Sequence, residues 1–275
     1  MQKSLTVIGA GKVGKTLARL WTLNQTYEIR DVLTRTPTSA QRAVDFIGAG
    51  QAVNEYTSLR PADFFLIASP DNQIRKCCEA LATAGLLCSG NVVFHCSGAL
   101  PSSALAAATR QGAAVASVHP IRSFASPEQR LENFEGIWCG VEGDRRAIDA
   151  LRKGFAAIGA QWVPIKPKAK ILYHAAAVFA SNYLVTLTEV AKQAYMAAGV
   201  PADVALQLLQ PLMQETLENI FRLGPEAALT GPIARGDMAA ATRQYQAVAN
   251  WNAQYAELYN QFVTLTAELA ARRKA

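Results

Sequence analysis

Three glycines set the first chemistry. They fall in the run Leu5-Thr6-Val7-Ile8-Gly9-Ala10-Gly11-Lys12-Val13-Gly14. An apolar strand runs into G-x-G-x-x-G, and a helix-like segment, Lys15 to Trp21, follows. Gly9 permits a tight turn, Gly11 lets a pyrophosphate approach the backbone, and Gly14 lets the helix pack close to the strand. With Ala10, Lys12 and Val13 completing the loop, the N–H groups and positive dipole end of the helix face the phosphates. The bare pattern is weak; the strand–turn–helix around it makes it a dinucleotide-binding signature. The plainer reading is a glycine turn with no nucleotide.

A second set of residues could move protons or hold a substrate. Val92 to Cys96 reads as a strand that ends at Ser97-Gly98, where a hydroxyl and glycine N–H groups could hold a carboxylate or carbonyl. Ala116-Ser117-Val118-His119 ends another strand on a histidine. Lys170 and His174 are four residues apart and share one helical face, with Ser181 and Asn182 two turns on. Hydride transfer to a carbonyl or imine needs a proton donor or acceptor. Lysine fills that role with its pKa adjusted, and histidine needs less adjustment. Lys170, His174 and, in reserve, His119 are the candidates. Against this, Lys170 could be a linker lysine and His174 a satisfied core histidine; His95, inside its strand, reads as packing.

The second strand decides the cofactor. It ends Val32-Leu33-Thr34-Arg35-Thr36, placing two hydroxyls and a guanidinium where an acid would hold the ribose 2′-OH of NAD. Arginine grips phosphate bidentately, so Thr34, Arg35 and Thr36 read as a clamp for the 2′-phosphate of NADP. Asp31 is the competing NAD-type acid, a few residues early. Ser69 and Pro70 close the next strand, Phe64 to Ser69, and are expected to border the cofactor; the alternative is a helix cap.

These residues need a scaffold. Strand candidates are Leu5–Gly9, Glu28–Thr34, Asp63–Ser69, Asn91–Cys96, Ala114–His119, Ile137–Val141 and Gln161–Ile165. Helical patterns lie between them at Lys12–Trp21, Ala40–Phe46, Asn72–Ala84, Ser102–Gln111 and Arg145–Ile158. Such alternation predicts a largely parallel sheet covered on both faces. Two prolines and three lysines at 164–170 mark a junction. Beyond it only helices are predicted, at 168–198, 202–222, 235–248 and 250–272. The expected architecture is an α/β Rossmann domain at 1–166 followed by an all-α domain at 167–275.

Composition narrows the class. Of 275 residues 51% are hydrophobic and 17% charged, which excludes disorder. Net charge is +6, but the basic residues are scattered with no aromatic-plus-basic module, so no nucleic acid is expected. The Arg272-Arg273-Lys274 tail suits a helix C-terminus. Ile171 to Val190, interrupted by polar residues, reads as a core or interface helix, with a membrane span as the alternative. Five cysteines without C-x-x-C spacing and no secretion signal point to reduced thiols in the cytoplasm. No metal site is expected.

The N-terminal G-A-G-K-V-G, the T-R-T after the second strand and the lysine opening a helical domain resemble the β-hydroxyacid dehydrogenase superfamily, which includes 6-phosphogluconate dehydrogenase-like enzymes. More narrowly, F-H-C-S-G-A-L (94–100), S-V-H-P-I-R-S-F (117–124), Y-H-A-A-A-V-F-A-S-N-Y (173–183) and L-T-G-P-I-A-R-G-D (229–237) resemble a subfamily pairing a Rossmann-like domain with a helical domain of unknown function. Its members are generally described as NADP oxidoreductases. The resemblance implies Lys170 as acid/base, His174 where an asparagine would orient the substrate, and Ser97-Gly98 as a substrate-binding turn. It also implies a homodimer through the helical domain. Asn182, on or near the face of Lys170 and His174, is a further candidate substrate contact, and Arg235, in a stretch with no counterpart of known role, could reach a substrate carboxylate, also across a dimer interface. The expected protein is an NADP(H)-dependent oxidoreductase acting on a carbonyl or imine of a small carboxylate-bearing molecule, such as a ketopantoate-like 2-oxo acid. The alternatives are a non-catalytic NADP(H)-binding redox sensor and a deazaflavin-dependent reductase, which shares the fold.

Overall fold

A computed structural model describes residues 2–124 and 134–273; Lys274 of the basic tail lies outside them. The chain divides into two compact units, Met1–Ala180 and Ser181–Ala275.

The first unit is built on one eight-stranded sheet of order β3-β2-β1-β4-β5-β6-β7-β8. The chain runs through β1 (Lys3–Ile8), α1 (Lys12–Leu23), β2 (Tyr27–Leu33), α2 (Pro37–Ile47), β3 (Gln51–Val53), β4 (Phe64–Ile67) and α3 (Asp71–Thr83). It continues through β5 (Val92–His95), α4 (Ala106–Arg110), β6 (Ala114–Pro120), β7 (Trp138–Gly143), α5 (Arg145–Ala156), β8 (Gln161–Pro164) and α6 (Lys170–Ala180). All neighbours pair in parallel except β6 and β7. Strand order reverses between β1 and β4, which leaves a crevice at their carboxyl ends.

Both faces of the sheet are covered, as parallel pairing requires. One core gathers Leu17 and Trp21 of α1, Ala43 and Ile47 of α2, and Leu151 and Phe155 of α5. The other gathers Ile74 and Leu81 of α3 with Leu105 and Ala108 near α4. Trp21 is fully buried and donates its indole N–H to the carbonyl of Gly154 at 2.9 Å, so its polar edge is satisfied where its rings pack.

Several boundaries differ from expectation. β3 is three residues on the sheet edge, too short for a period-2 signal. The segment 102–111 opens as a 3-10 turn at Ser102–Leu105 before α4. Helix α6 belongs to the compact unit of the sheet, because its first turn is anchored there by the side chains described below.

The second unit is helical: α7 (Asn182–Ala197), α8 (Ala202–Leu223), α9 (Pro225–Ala228), α10 (Pro232–Arg235), α11 (Met238–Trp251) and α12 (Ala253–Arg272). The helix expected over 168–198 is broken at Ser181, whose φ of −121° and ψ of −68° are not helical. Asp237 and Asn252 cap α11 and α12 by accepting from Ala240 and Tyr255 N–H, the role short polar side chains serve at helix starts. Among the described residues one stretch, Pro167–Ala197, is long and apolar enough to cross a membrane by length and composition.

Candidate functional site

At the crevice, Gly9 has a φ of +82° and its N–H donates to the Leu33 carbonyl at 2.8 Å. A β-carbon there would lie 2.5 Å from Ser69 Oγ, and one at Gly14 would lie 2.6 Å from Ala68 Cβ. Both positions therefore require glycine. Gly11 differs: its φ is −66°, and a β-carbon would meet nothing closer than the Ala68 carbonyl at 3.7 Å. No protein atom excludes a side chain at Gly11, so the space above it is free for a ligand. Gly11 also begins α1 without a side-chain cap, which leaves its first N–H groups to solvent or an anion.

A cleft of about 700 Å³ opens over this loop, bordered by Gly9, Gly11, Thr34, Arg35, Ser69 and Pro70 among others. Arg35 is exposed and makes no ion pair among the described residues. Thr34 Oγ1 bonds Ser39 Oγ at 2.6 Å and the Thr36 carbonyl at 3.0 Å, while Thr36 Oγ1 accepts from Ser39 N–H and caps α2. The two threonines thus build the loop that presents Arg35. Asp31, the rival acid, is fully buried and held by Arg60, with Nε at 2.9 Å, Nη2 at 2.7 Å and the backbone N–H at 2.7 Å. It is committed to the protein and does not border the cleft. These residues fit a dinucleotide: a glycine floor, an uncapped helix start and an unpaired cation at the far end.

A second cluster forms at the carboxyl ends of β5 and β6. The ring centroids of His119 and His174 lie 5.6 Å apart, edge to face. Both rings close on Gly98: a β-carbon there would overlap Nδ1 of His174 and come within 2.8 Å of Nε2 of His119. His174 Nδ1 is buried without a hydrogen-bond partner. His119 Nδ1 bonds the Tyr173 hydroxyl at 3.0 Å. Burial pushes the Tyr173 phenol up to about 12, with the Gly140 N–H supporting its oxygen. The phenol therefore keeps its proton and shares one hydrogen bond with Nδ1. Burial first, then the neighbouring His174 and Lys170, pull the His119 pKa down to about 4. His119 is thus neutral at pH 7.

Ser97 and Lys170 belong to the same cluster. The Ser97 hydroxyl donates to Asp71 Oδ2 at 2.7 Å and accepts from the N–H groups of Ala99 and Leu100. That hydroxyl is engaged within the turn. His95, expected only to pack, accepts from Ser97 N–H at Nδ1 and meets the Pro101 carbonyl at Nε2. It is fully buried, and burial holds its pKa near 4. Lys170 is 1% exposed, with its ammonium on the Ser97 carbonyl at 3.1 Å, Ser117 Oγ at 2.5 Å and Glu142 Oε1 at 3.8 Å. The ammonium of Lys170 is thus enclosed by protein oxygens, while His174, one turn on, is half-buried. Asn182 begins α7 and Arg235 ends α10, both in the second unit.

Sequence reasoning passed over Tyr173, Ser117, Asp71 and Glu142. The detectable signal was Glu142, an ionisable residue in a strand whose neighbours are apolar or small.

Residues 1–120 match the model of a Rossmann-like domain and residues 137–266 that of a domain of unknown function (DUF2520). The chain is a Rossmann-like domain followed by a DUF2520 helical domain. In particular, it is 27% identical to the protein TM1727 from Thermotoga maritima, with a TM-score of 0.77 over 98% of this chain and 100% of that one. BF3122 from Bacteroides fragilis, whose assignment as an NADP oxidoreductase is provisional, is 20% identical with a TM-score of 0.77 over 97% and 98%. An imine reductase from Myxococcus stipitatus in complex with NADP+ is 15% identical with a TM-score of 0.68 over 99% and 100%. No curated protein matches the sequence.

Proposed function

We propose that the protein is an NADP-dependent oxidoreductase acting on the carbonyl or imine of a small carboxylate-bearing substrate. The observation that carries this reading is the 2.7 Å hydrogen bond from Ser97 to Asp71. Asp71 follows the Ser69-Pro70 lip of the cleft, so the bond ties that lip to the turn on which the two imidazoles rest. The Gly9–Gly14 loop would hold the pyrophosphate and Arg35 the 2′-phosphate. Bound NADPH supplies a hydride to the substrate carbon.

The chain's own residues handle the heteroatom. In this reading the neutral His119 takes the Tyr173 hydroxyl at Nδ1 and carries its own proton on Nε2, where it polarises a carbonyl or imine by hydrogen bonding without surrendering the proton. His174, whose ring meets His119 edge to face over Gly98, is the group proposed to supply or take the proton. An imine gains support over a 2-oxo acid from the neighbours named imine reductase and pyrroline-5-carboxylate reductase. Asn182 and Arg235 remain proposed substrate contacts. The exposed Ile171, Leu172 and Phe179 of α6 support a homodimer interface, and the free thiols support a cytoplasmic location.

The deciding experiment is the dissociation constant of NADPH and of NADH measured side by side. Tight NADPH with much weaker NADH is expected. Binding of neither overturns the reading; binding followed by reduction of cyclic imines or 2-oxo acids in a panel extends it.

A further inference from the structure

Lys170 and Glu142 form a buried ion pair to which the reading above gives no task. Glu142 is 4% exposed and fully engaged: Oε1 accepts from the Ser102 N–H at 2.6 Å and Oε2 from its hydroxyl at 2.7 Å. Buried charges persist only when paired and hydrogen-bonded. The carboxylate is therefore a fixed anchor, and the ammonium beside it has a set position.

We propose that Lys170 is a positioning residue: held by Glu142 and Ser117, its ammonium pins the Ser97 carbonyl and so sets Gly98 as the seat of His119 and His174. This rests on the role proposed above for the two imidazoles. An ammonium has three donors and no acceptor, and three oxygens surround this one. Ser117 closes the arrangement, because its hydroxyl also reaches the Ser97 carbonyl, at 3.3 Å. The other polar groups of Ser97 are held too, its N–H on His95 and its hydroxyl on Asp71. The carbonyl is the remaining polar group of Ser97, and Lys170 holds it together with Ser117. Gly98, the next residue, has no room for even a methyl group beside the two rings, so a shift of the backbone here is felt by both. Lys170 therefore acts on the proton-handling pair through the backbone.

Two measurements on the apo protein test this, neither needing cofactor or substrate. The first is reductive methylation of the folded wild type with formaldehyde and a borane reductant, read by peptide mass spectrometry. Lys166 and Lys168 are exposed and should be dimethylated while Lys170 stays unmodified. Modification of Lys170 at the rate of those two overturns the proposal. The second is the ring spectrum of the three histidines by proton–carbon NMR, in Lys170→Met and, should that variant not fold, Glu142→Gln. His119 and His174 signals should move by at least about 0.1 ppm on the proton axis while the Trp21 indole N–H stays in place. Unmoved His119 and His174 signals, or an equal shift at Trp21, overturn it. Failure to bind NADPH would refute the proposed function and leave both readouts standing.

Discussion

Asp31 is fully buried and bound by Arg60 through both Nε and Nη2. The carboxylate nearest the end of β2 is thereby removed from competition for the ribose, and Arg35 alone of the two candidates faces the cleft. Arg35→Ala should weaken NADPH by about tenfold to a hundredfold, the weight of one or two charge-assisted hydrogen bonds, and leave NADH nearly unchanged. Titration with both nucleotides checks it. Asp31→Ala should leave the ratio of the two affinities unchanged and cost about 1–3 kcal/mol in urea unfolding, because Arg60 loses its partner.

Gly11→Ala separates a ligand's space from the protein's. Its backbone is ordinary and a β-carbon meets no protein atom closer than 3.7 Å, so the melting temperature should hold within a degree or two. Dinucleotide affinity should fall by about tenfold or more, because the methyl occupies the approach of the pyrophosphate. Gly14→Ala should lose both stability and binding. Thermal melts paired with titrations distinguish the two.

Gly98→Ala is expected to fold with a loss of about 1–3 kcal/mol, the usual cost of overfilling a packed site, while displacing His174 and His119. Turnover on any substrate found should drop more than NADPH affinity does. Unchanged turnover would show that the two rings do not act from their present positions.

Stability should fall as pH drops from about 6.5 towards 4. His95 and His119 have folded-state pKa values near 4, below the ordinary histidine value of about 6.5. Between these limits the unfolded chain binds more protons, so unfolding is favoured as pH falls; below both, the effect is complete. Each histidine can contribute roughly 2–3 kcal/mol. Urea midpoints for wild type and His119→Gln across this window should converge as pH falls.

The N-terminal loop was legible because its glycines answer to local geometry: turn, close packing and ligand approach each demand glycine at a fixed spacing. The strand–helix alternation was legible for a similar reason. The helical face shared by Lys170 and His174 was readable from their spacing, but its depth was not. Nothing local says that the first residue of α6 is fully buried while the fifth is half-buried. Glu142 has no partner nearby in sequence; its partners Ser102 and Lys170 stand 40 residues before it and 28 after. Asp31 looked like a cofactor acid because position along a strand does not reveal which side chains have already claimed a carboxylate.

The reversed pairing of β6 and β7 carries a further consequence. In that register His119 faces Gly140 and Ser117 faces Glu142, and Gly140 has no side chain where the Tyr173 phenol lies. A slip of one residue would set Cys139 or Val141 against the phenol and turn Glu142 to the opposite face. A single-residue insertion or deletion within β7 would thus dismantle the imidazole pair's support while leaving every polar side chain in the sequence. Lineages carrying this fold should tolerate length changes in the loops around the cleft more readily than a one-residue frameshift in this strand.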